Sequence, residues 1–178
     1  MHAFWAKGYE ATSLDELCSA TGLGRSSLYA AFGSKRGLYF ETLERYERMV
    51  AVRLTAALSG PHSIREAVAA FLGGLVDEIV EGPGRRGCFI GNCAAELSRN
   101  DRRAAGKVRH SLDLVEHTFC DAIVVAQARG ELRPDVDVTA TARFLTSGIQ
   151  GLRLIGKANP DRQVLQDIAA VMLRCLDH

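Results

Sequence analysis

Near its amino terminus the chain contains a run of side chains with the chemistry that nucleic acids require. Arg25, Ser26, Ser27 and Tyr29 lie within one short stretch, and Lys35 follows soon after it. A guanidinium can pair with O6 and N7 of guanine, whereas hydroxyl and ammonium groups bind phosphate. These residue types at this spacing predict contact with a nucleic acid.

Two short helices are expected to position these side chains. Ser13 and Glu16 have the spacing of a capping box, which starts a helix that runs to about Thr21. Glycines at positions 22 and 24 form a turn, and a second helix is expected over residues 25–32. Two short helices joined by a glycine-containing turn form a helix-turn-helix.

Arg25 is the leading candidate for reading bases, since the second helix of such a motif presents its first residues to the major groove. The alternative is that Arg25 touches phosphate alone, as most side chains in protein–DNA interfaces do. Ser26 and Ser27 suit a helix cap or a phosphate as well as a base. Ser34 and Lys35 begin the next helix, whose dipole favours a phosphate. A solvated helix start is the alternative for Lys35.

The charge of the chain is nearly balanced, with 22 Lys and Arg against 21 Asp and Glu and a net charge of +1. This balance excludes a protein that coats polyanions indiscriminately. The distribution is uneven, however, because no acidic residue occurs between Glu16 and Glu41, whereas Arg25, Lys35 and Arg36 lie in that interval. The charge distribution therefore predicts one small basic surface between residues 16 and 41.

The rest of the 178 residues also shows helical periodicity, with no alternation typical of strands. We expect an all-α fold with a helix-turn-helix domain over residues 1–46 and a larger helical domain over residues 47–178. The longest apolar run, Ala67 to Val76, is too short for a membrane span, which needs about 20 residues. No export signal is recognisable, so the expected location is the cytoplasm.

The cysteines are odd in number and widely spaced, which predicts reduced core thiols rather than disulfides. The absence of a C-x-x-C pair argues against structural zinc. A redox or electrophile sensor at Cys88 or Cys93 is a second interpretation, since Arg85 and Arg86 lie nearby. The five cysteines are Cys18, Cys88, Cys93, Cys120 and Cys175.

A polar stripe on a later helix has the residue types of a transition-metal site. His110, Asp113, His117 and Cys120 lie close together on a helical wheel. An exposed polar face is the simpler interpretation, because apolar residues occupy the opposite side of the helix. We expect no metal and no cofactor. The chain also lacks a Ser-His-Asp set, paired catalytic carboxylates and a phosphate loop, which indicates that the protein is not an enzyme.

Two segments resemble the DNA-binding region of the TetR/AcrR family of transcriptional regulators. They read FWAKGYEATS at residues 4–13 and TGLGRSSLYAAFGSK at residues 21–35, and the resemblance extends to about Tyr46. It implies a ligand-responsive regulator, most often a repressor, that binds double-stranded operator DNA. The alternative is a small-molecule-binding helical protein, or an enzyme, that keeps the fold without binding DNA.

The resemblance also assigns roles to single residues. Tyr29 matches a family tyrosine implicated in DNA contact, and Lys35 matches the family's phosphate-contacting lysine. Two departures concern Ala30 and Ala31, where many members carry a histidine or a second aromatic, and the first helix, which is normally longer than residues 1–7. The short first helix predicts a truncated or incomplete start. The rest of the DNA-binding set comprises Thr12, Ser13 and Ala30.

The last two expected helices are apolar over wider arcs than one core contact requires, so each needs two partners. The resemblance implies that they pair with their copies in a four-helix interface, and that the two-fold homodimer binds a palindromic operator. A monomer with a larger core is the alternative. The residues assigned to the interface are Phe144, Gly148, Gly151, Ile155, Leu165, Ile168 and Met172.

The middle helices are expected to enclose a pocket for a small-molecule effector, apolar or aromatic in character. Each candidate, taken singly, fits ordinary core packing better than ligand contact. The candidates are Phe71, Leu75, Phe89, Asn92, Cys93, Phe119, Ile149 and Arg153.

Overall fold

The computed structural model describes residues 1–177, and within them all regular secondary structure is helical, with no strand. The expected all-α fold class is confirmed. No helix in this range is long and apolar enough to cross a membrane. The helices are α1 His2–Lys7, α2 Leu14–Thr21, α3 Arg25–Phe32, α4 Lys35–Leu58, α5 Ile64–Glu81, α6 Phe89–Leu97, α7 Arg102–Ala128, α8 Val138–Ala158 and α9 Arg162–Leu173, with short 3-10 turns at Pro83–Arg86 and Arg174–Leu176.

The starts of the helices follow from local side-chain caps. The Ser13 hydroxyl accepts from the Glu16 amide at 3.2 Å, and the Glu16 carboxylate accepts from the Ser13 amide at 2.8 Å, which confirms the predicted capping box of α2. Ser63 and Glu66 form the same arrangement at the start of α5. These bonds satisfy backbone amides that a helix cannot pair internally.

The chain divides into two compact units. The first contains Met1–Met49 together with Phe89–Val108, and the second contains Val50–Cys88 together with the residues from Arg109 onward. The sequence predicts one boundary after residue 46, and the structure differs in that α6 and the beginning of α7 belong to the first unit. The physical reason is that α6 packs Phe89 against rings of α1 and α4 and places Glu96 against the segment between α1 and α2.

Stacked and edge-on aromatic rings form the centre of the first unit. Phe4 from α1 meets Tyr39 from α4 with ring centroids 5.0 Å apart, and Phe89 from α6 lies 5.5 Å from Tyr39. Trp5 and Tyr46 are in edge contact at 5.0 Å. Such pairs add about 0.5–1.5 kcal/mol each beyond the area they bury. The six-residue helix α1 is too short to be stable alone, so this packing must hold it in place.

An apolar core formed mainly by α5, α7, α8 and α9 fills the second unit. Leu145 and Leu152 of α8 and Leu165 of α9 are fully buried there. Helix α8 approaches α5 closely at Gly156, since a Cβ atom at this position would lie 2.6 Å from Cγ2 of Ile79. The absence of a side chain at Gly156 therefore sets the spacing of these two helices.

Candidate nucleic-acid interface

Helices α2 and α3 form the predicted helix-turn-helix. Helix α2 ends at Gly22, whose φ of +70° places it in the left-handed region that glycine adopts without strain. Leu17 of α2 and Leu28 of α3 are buried. Leu28 is the one buried residue of α3 and Phe32 is half-buried, so the other six residues of this helix are exposed.

The exposed surface of α3 carries most of the residues assigned to DNA from the sequence. Arg25, at the first position of the helix, donates two hydrogen bonds to Asp15 at the start of α2. Tyr29 is also exposed, at 41% of its full accessible surface. The other exposed members of this surface are Ser26, Ser27 and Ala30.

Lys35 is held at the first position of α4 rather than freely solvated. Its Nζ donates to the Glu10 carbonyl oxygen at 3.3 Å and lies 4.5 Å from the centroid of the Tyr9 ring. A cation over an aromatic face is attracted by the ring quadrupole. The segment between α1 and α2 therefore positions the charge that the sequence assigns to phosphate.

Three residues of the expected basic or DNA-contacting set form hydrogen bonds or ion pairs inside the protein. Thr12 is fully buried and its hydroxyl donates to the Gly8 carbonyl oxygen at 2.6 Å, which removes it from the exposed candidates. The Ser13 hydroxyl is used in the capping box. The guanidinium of Arg36 pairs with Asp101 at 2.6 Å, so the local positive charge is smaller than the stretch from Glu16 to Glu41 alone indicates.

Glu96 of α6 is a positioning residue that the sequence analysis missed. Its carboxylate accepts from the Tyr9 amide at 2.9 Å and from the Glu10 amide at 2.8 Å, so both oxygens hold the α1–α2 segment. Gly8 makes room for this contact, because a Cβ there would lie 2.8 Å from a carboxylate oxygen. The partners are 87 and 86 positions away in the chain, and no local pattern signals such a pair.

We expect Glu96→Gln to lower the free energy of unfolding by about 1 kcal/mol, because an amide can accept from only one of the two N–H groups. Water replaces part of the lost bond at this exposed site, which keeps the cost small. DNA affinity should fall with it, since the same segment positions Lys35. Thermal unfolding and DNA titration check this, with Glu41→Gln on α4 as the control. Equal stability and equal DNA affinity of Glu96→Gln and Glu41→Gln would contradict the positioning role of Glu96.

Cys93, one of the two candidate sensor thiols, lies on the same face of α6 as Glu96. Cys93 is completely buried, and its neighbour across the contact is Tyr39. Burial raises the pKa of the Cys93 thiol, which opposes formation of the reactive thiolate. Cys88 is also buried, and neither cysteine forms a disulfide. The structure therefore favours packing over electrophile sensing at both positions.

The candidate ligand residues divide between the two compact units. Phe89 and Cys93 are buried in the first unit and Asn92 is half-buried there. The other five are buried in the second unit, where all but Arg153 belong to its apolar core: Phe71, Leu75, Phe119, Ile149 and Arg153. Their role in ligand binding stays a prediction.

The predicted dimerisation face of α8 and α9 is largely exposed and apolar. Phe144, Ile155 and Val171 are prominent in an open groove of about 480 Å³. Leu165 differs from the expectation, because it is fully buried in the core of its own protomer and cannot reach a second chain. Met172 is also buried, with its end against Gly148. The remaining groove residues are Gly148, Gly151, Leu152, Asp167, Ile168 and Met172.

The polar stripe on α7 does not assemble into a metal site. His110, Asp113 and His117 are exposed along the helix, and Cys120 is half-buried. Within residues 1–177 no group of three or more His, Cys, Asp or Glu side chains is placed to hold a metal ion. The stripe is the exposed face of an amphipathic helix.

Two family models match the chain. Residues 1–42 match the model described as bacterial regulatory proteins, tetR family, and residues 63–172 match that of the tetracyclin repressor-like C-terminal domain. The first match contains the helix-turn-helix, and the second contains most of α5 to α9. Together they cover most of the chain.

Curated relatives and solved structures agree with these matches. The HTH-type transcriptional repressor ComR of Escherichia coli is 33% identical over 175 residues, 98% of this chain and 83% of ComR. The HTH-type transcriptional regulator YezE of Bacillus subtilis is 31% identical over 178 residues, 99% of this chain and 92% of YezE.

Among solved structures, a cysteine mutant of the TetR family transcriptional regulator CifR was determined in complex with 26-base-pair double-strand operator DNA. It is 30% identical to this chain with a TM-score of 0.84, covering 97% of this chain and 90% of CifR. The agreement extends over both compact units. The chain therefore belongs to the TetR family and is a DNA-binding transcriptional regulator.

Proposed function

We propose that this protein is a repressor that binds a palindromic operator as a homodimer and leaves it when a small-molecule effector binds. The observation that carries this proposal is the exposure of α3, a helix in which only Leu28 is buried. Support also comes from relatives, since ComR is named a repressor and CifR is described with operator DNA.

In this proposal α3 enters the major groove and Lys35 binds the phosphate backbone beside it. The first residues of the second helix of a helix-turn-helix contact base edges, which places Arg25 against bases. Lys35 lies at the start of α4, where the helix dipole adds to its charge. In this arrangement Arg25 provides sequence recognition and Lys35 provides affinity that does not depend on sequence.

The apolar groove on α8 and α9 supports the homodimer. Exposed apolar patches of this kind on a protein surface mark interaction sites. A two-fold axis through the groove would place the same patch of each protomer against its copy. The dimer would then present two α3 helices to the two half-sites of a palindrome.

Effector release is proposed to act through α6. Glu96 connects this helix to the segment that holds Lys35, so a displacement of α6 would move a DNA-binding side chain. The effector must bind the DNA-free state more tightly than the DNA-bound state, because equal affinity for both shifts nothing. Operator affinity that stays constant across a broad panel of apolar and aromatic metabolites would refute this part.

We expect Lys35→Ala and Arg25→Ala to weaken DNA binding in different ways. Loss of a phosphate contact weakens binding to every sequence and reduces the salt slope by about one unit per protomer. Loss of a base contact costs about 1–3 kcal/mol at one position of the site and relaxes preference there. Equilibrium titrations of selected and unrelated duplexes at two salt concentrations measure both quantities.

Identical losses on every sequence for both variants would refute base reading by Arg25. The duplexes come from the DNA flanking the protein's own coding region and from selection out of a randomised pool. If the wild-type protein shows no preference among them, the proposal of an operator-binding repressor fails. A helical small-molecule-binding protein would then be the better description.

A further inference from the structure

Arg25 is held at one edge of its guanidinium by a carboxylate from the preceding helix. Its Nε donates to Oδ1 of Asp15 at 3.1 Å and its Nη2 donates to the same oxygen at 2.6 Å. Arg25 is the first residue of α3, and Asp15 is the second residue of α2. The pair therefore spans the turn of the helix-turn-helix.

The two bonds leave the other edge of the guanidinium available. A guanidinium has five N–H groups, and Nε with one N–H of Nη2 forms its side edge. The end edge consists of one N–H from Nη1 and one from Nη2, which are parallel. This is the pair that matches O6 and N7 of guanine. Asp15 thus occupies the edge that guanine recognition does not need.

The ion pair between Arg25 and Asp15 is too exposed to contribute much to the free energy of unfolding. The side chains of Arg25 and Asp15 are 62% and 74% exposed, and ion pairs at such sites contribute little. A carboxylate on a surface that approaches phosphates is also unfavourable by itself. A guanidinium that is already ordered loses less side-chain entropy on binding a base than a mobile one does.

The backbone that carries Asp15 is itself well anchored. The flanking residues Ser13 and Glu16 form the capping box, and Glu16 also pairs with Lys7. Asp15 therefore extends from a fixed first turn of α2. A fixed acceptor is what a positioning residue must offer to a flexible partner.

We propose that Asp15 is a positioning residue for guanine recognition, holding the Arg25 guanidinium so that its free edge faces O6 and N7. This rests on the proposed function, in which α3 enters the major groove. It assigns part of the sequence preference of the protein to α2, a helix that need not touch a base. It also implies a guanine at the position of each half-site that Arg25 reaches.

The test uses the full chain and a duplex that the wild-type protein selects from a randomised pool. The position whose preference Arg25→Ala abolishes identifies the contacted guanine, and a second duplex carries adenine there. We measure the dissociation constant on the adenine duplex divided by that on the guanine duplex, so a high ratio means a strong preference for guanine. The proteins compared are the wild type, Asp15→Ala, Asp15→Asn, Arg25→Ala and the double variant Asp15→Ala with Arg25→Ala. Thermal unfolding is measured alongside.

Asp15→Ala is expected to lower the ratio about two- to fivefold for each half-site while affinity for unrelated DNA stays equal or rises. Asp15→Asn should lie between, because it keeps an acceptor but loses the charge. In the Arg25→Ala background the same change should have no effect on the ratio. The matched control is Asp135→Ala, which removes an ion pair with Arg133. The side chains of Arg133 and Asp135 are 64% and 74% exposed, close to the values for Arg25 and Asp15.

Three results would overturn the inference. An unchanged ratio would show that Asp15 does not position Arg25, and a raised ratio would show that it withholds Arg25 from DNA. A loss of affinity for the selected duplex that Asp15→Ala causes equally in the Arg25→Ala background would indicate a structural effect on α2. Absence of any selective binding by the wild-type protein would instead refute the proposed function, and this outcome is distinguishable because it precedes every variant.

Discussion

Gly37→Ala should destabilise the first compact unit by about 2–3 kcal/mol and abolish selective DNA binding. A Cβ at Gly37 would lie 2.0 Å from the backbone oxygen of Phe32 and 3.2 Å from its carbonyl carbon. Phe32 is the last residue of α3, so the clash pushes the recognition helix away from α4. Backbone atoms cannot rotate aside as the end of a flexible side chain can.

The matched control for this substitution is Gly106→Ala in α7, within the same compact unit. Nothing lies within 4 Å of a Cβ at Gly106, so alanine there should stabilise the helix by about 0.5–1 kcal/mol. Denaturant unfolding measures both free energies, and titration of a selected duplex measures binding. A Gly37→Ala protein as stable as Gly106→Ala would disprove the close contact between α3 and α4.

Val171→Glu is expected to convert the protein to a monomer and to reduce affinity for a palindromic duplex by about a hundredfold or more. Two-fold symmetry places each substitution in the interface twice, and an unpaired carboxylate in an apolar contact is costly. The monomer must then bind each half-site separately. The fold of the protomer should be unaffected, since the Val171 side chain lies on the open face of α9.

Val124→Glu provides a control with the same chemical change. Val124 on α7 and Val171 on α9 are both 53% exposed in the protomer, so any difference between the variants reports a second chain. Analytical ultracentrifugation across a concentration series gives the oligomeric state. A dimeric Val171→Glu protein would contradict the α8 and α9 interface, and a monomeric Val124→Glu protein would move the interface to α7.

The helix-turn-helix could be predicted from the sequence because its signals are local. The capping box uses residues three positions apart, and Gly22 takes the left-handed conformation that ends α2. The exposed character of Arg25 and Tyr29 follows from the position of Leu28 as the apolar residue between them. Interactions between residues a few positions apart can be recognised from a single amino-acid sequence.

The contacts that position the candidate site could not be predicted in the same way. Glu96 reaches the amides of Tyr9 and Glu10 from a distant part of the chain, and the pair of Arg36 with Asp101 is similarly remote. A helical wheel also cannot tell which of two apolar faces is the internal one. It therefore placed Leu165 at the surface of α9, where the packing of α5, α8 and α9 buries it.

The membership of α6 in the first unit has a practical consequence for anyone who wishes to transplant the DNA-reading part of this regulator. A fragment ending near Met49 would leave Tyr39 without Phe89 and the α1–α2 segment without Glu96. Chimaeric repressors that exchange only the amino-terminal segment would therefore join mismatched surfaces. A functional exchange should carry Phe89–Val108 along with Met1–Met49, so the modular boundary of this protein is discontinuous in its gene.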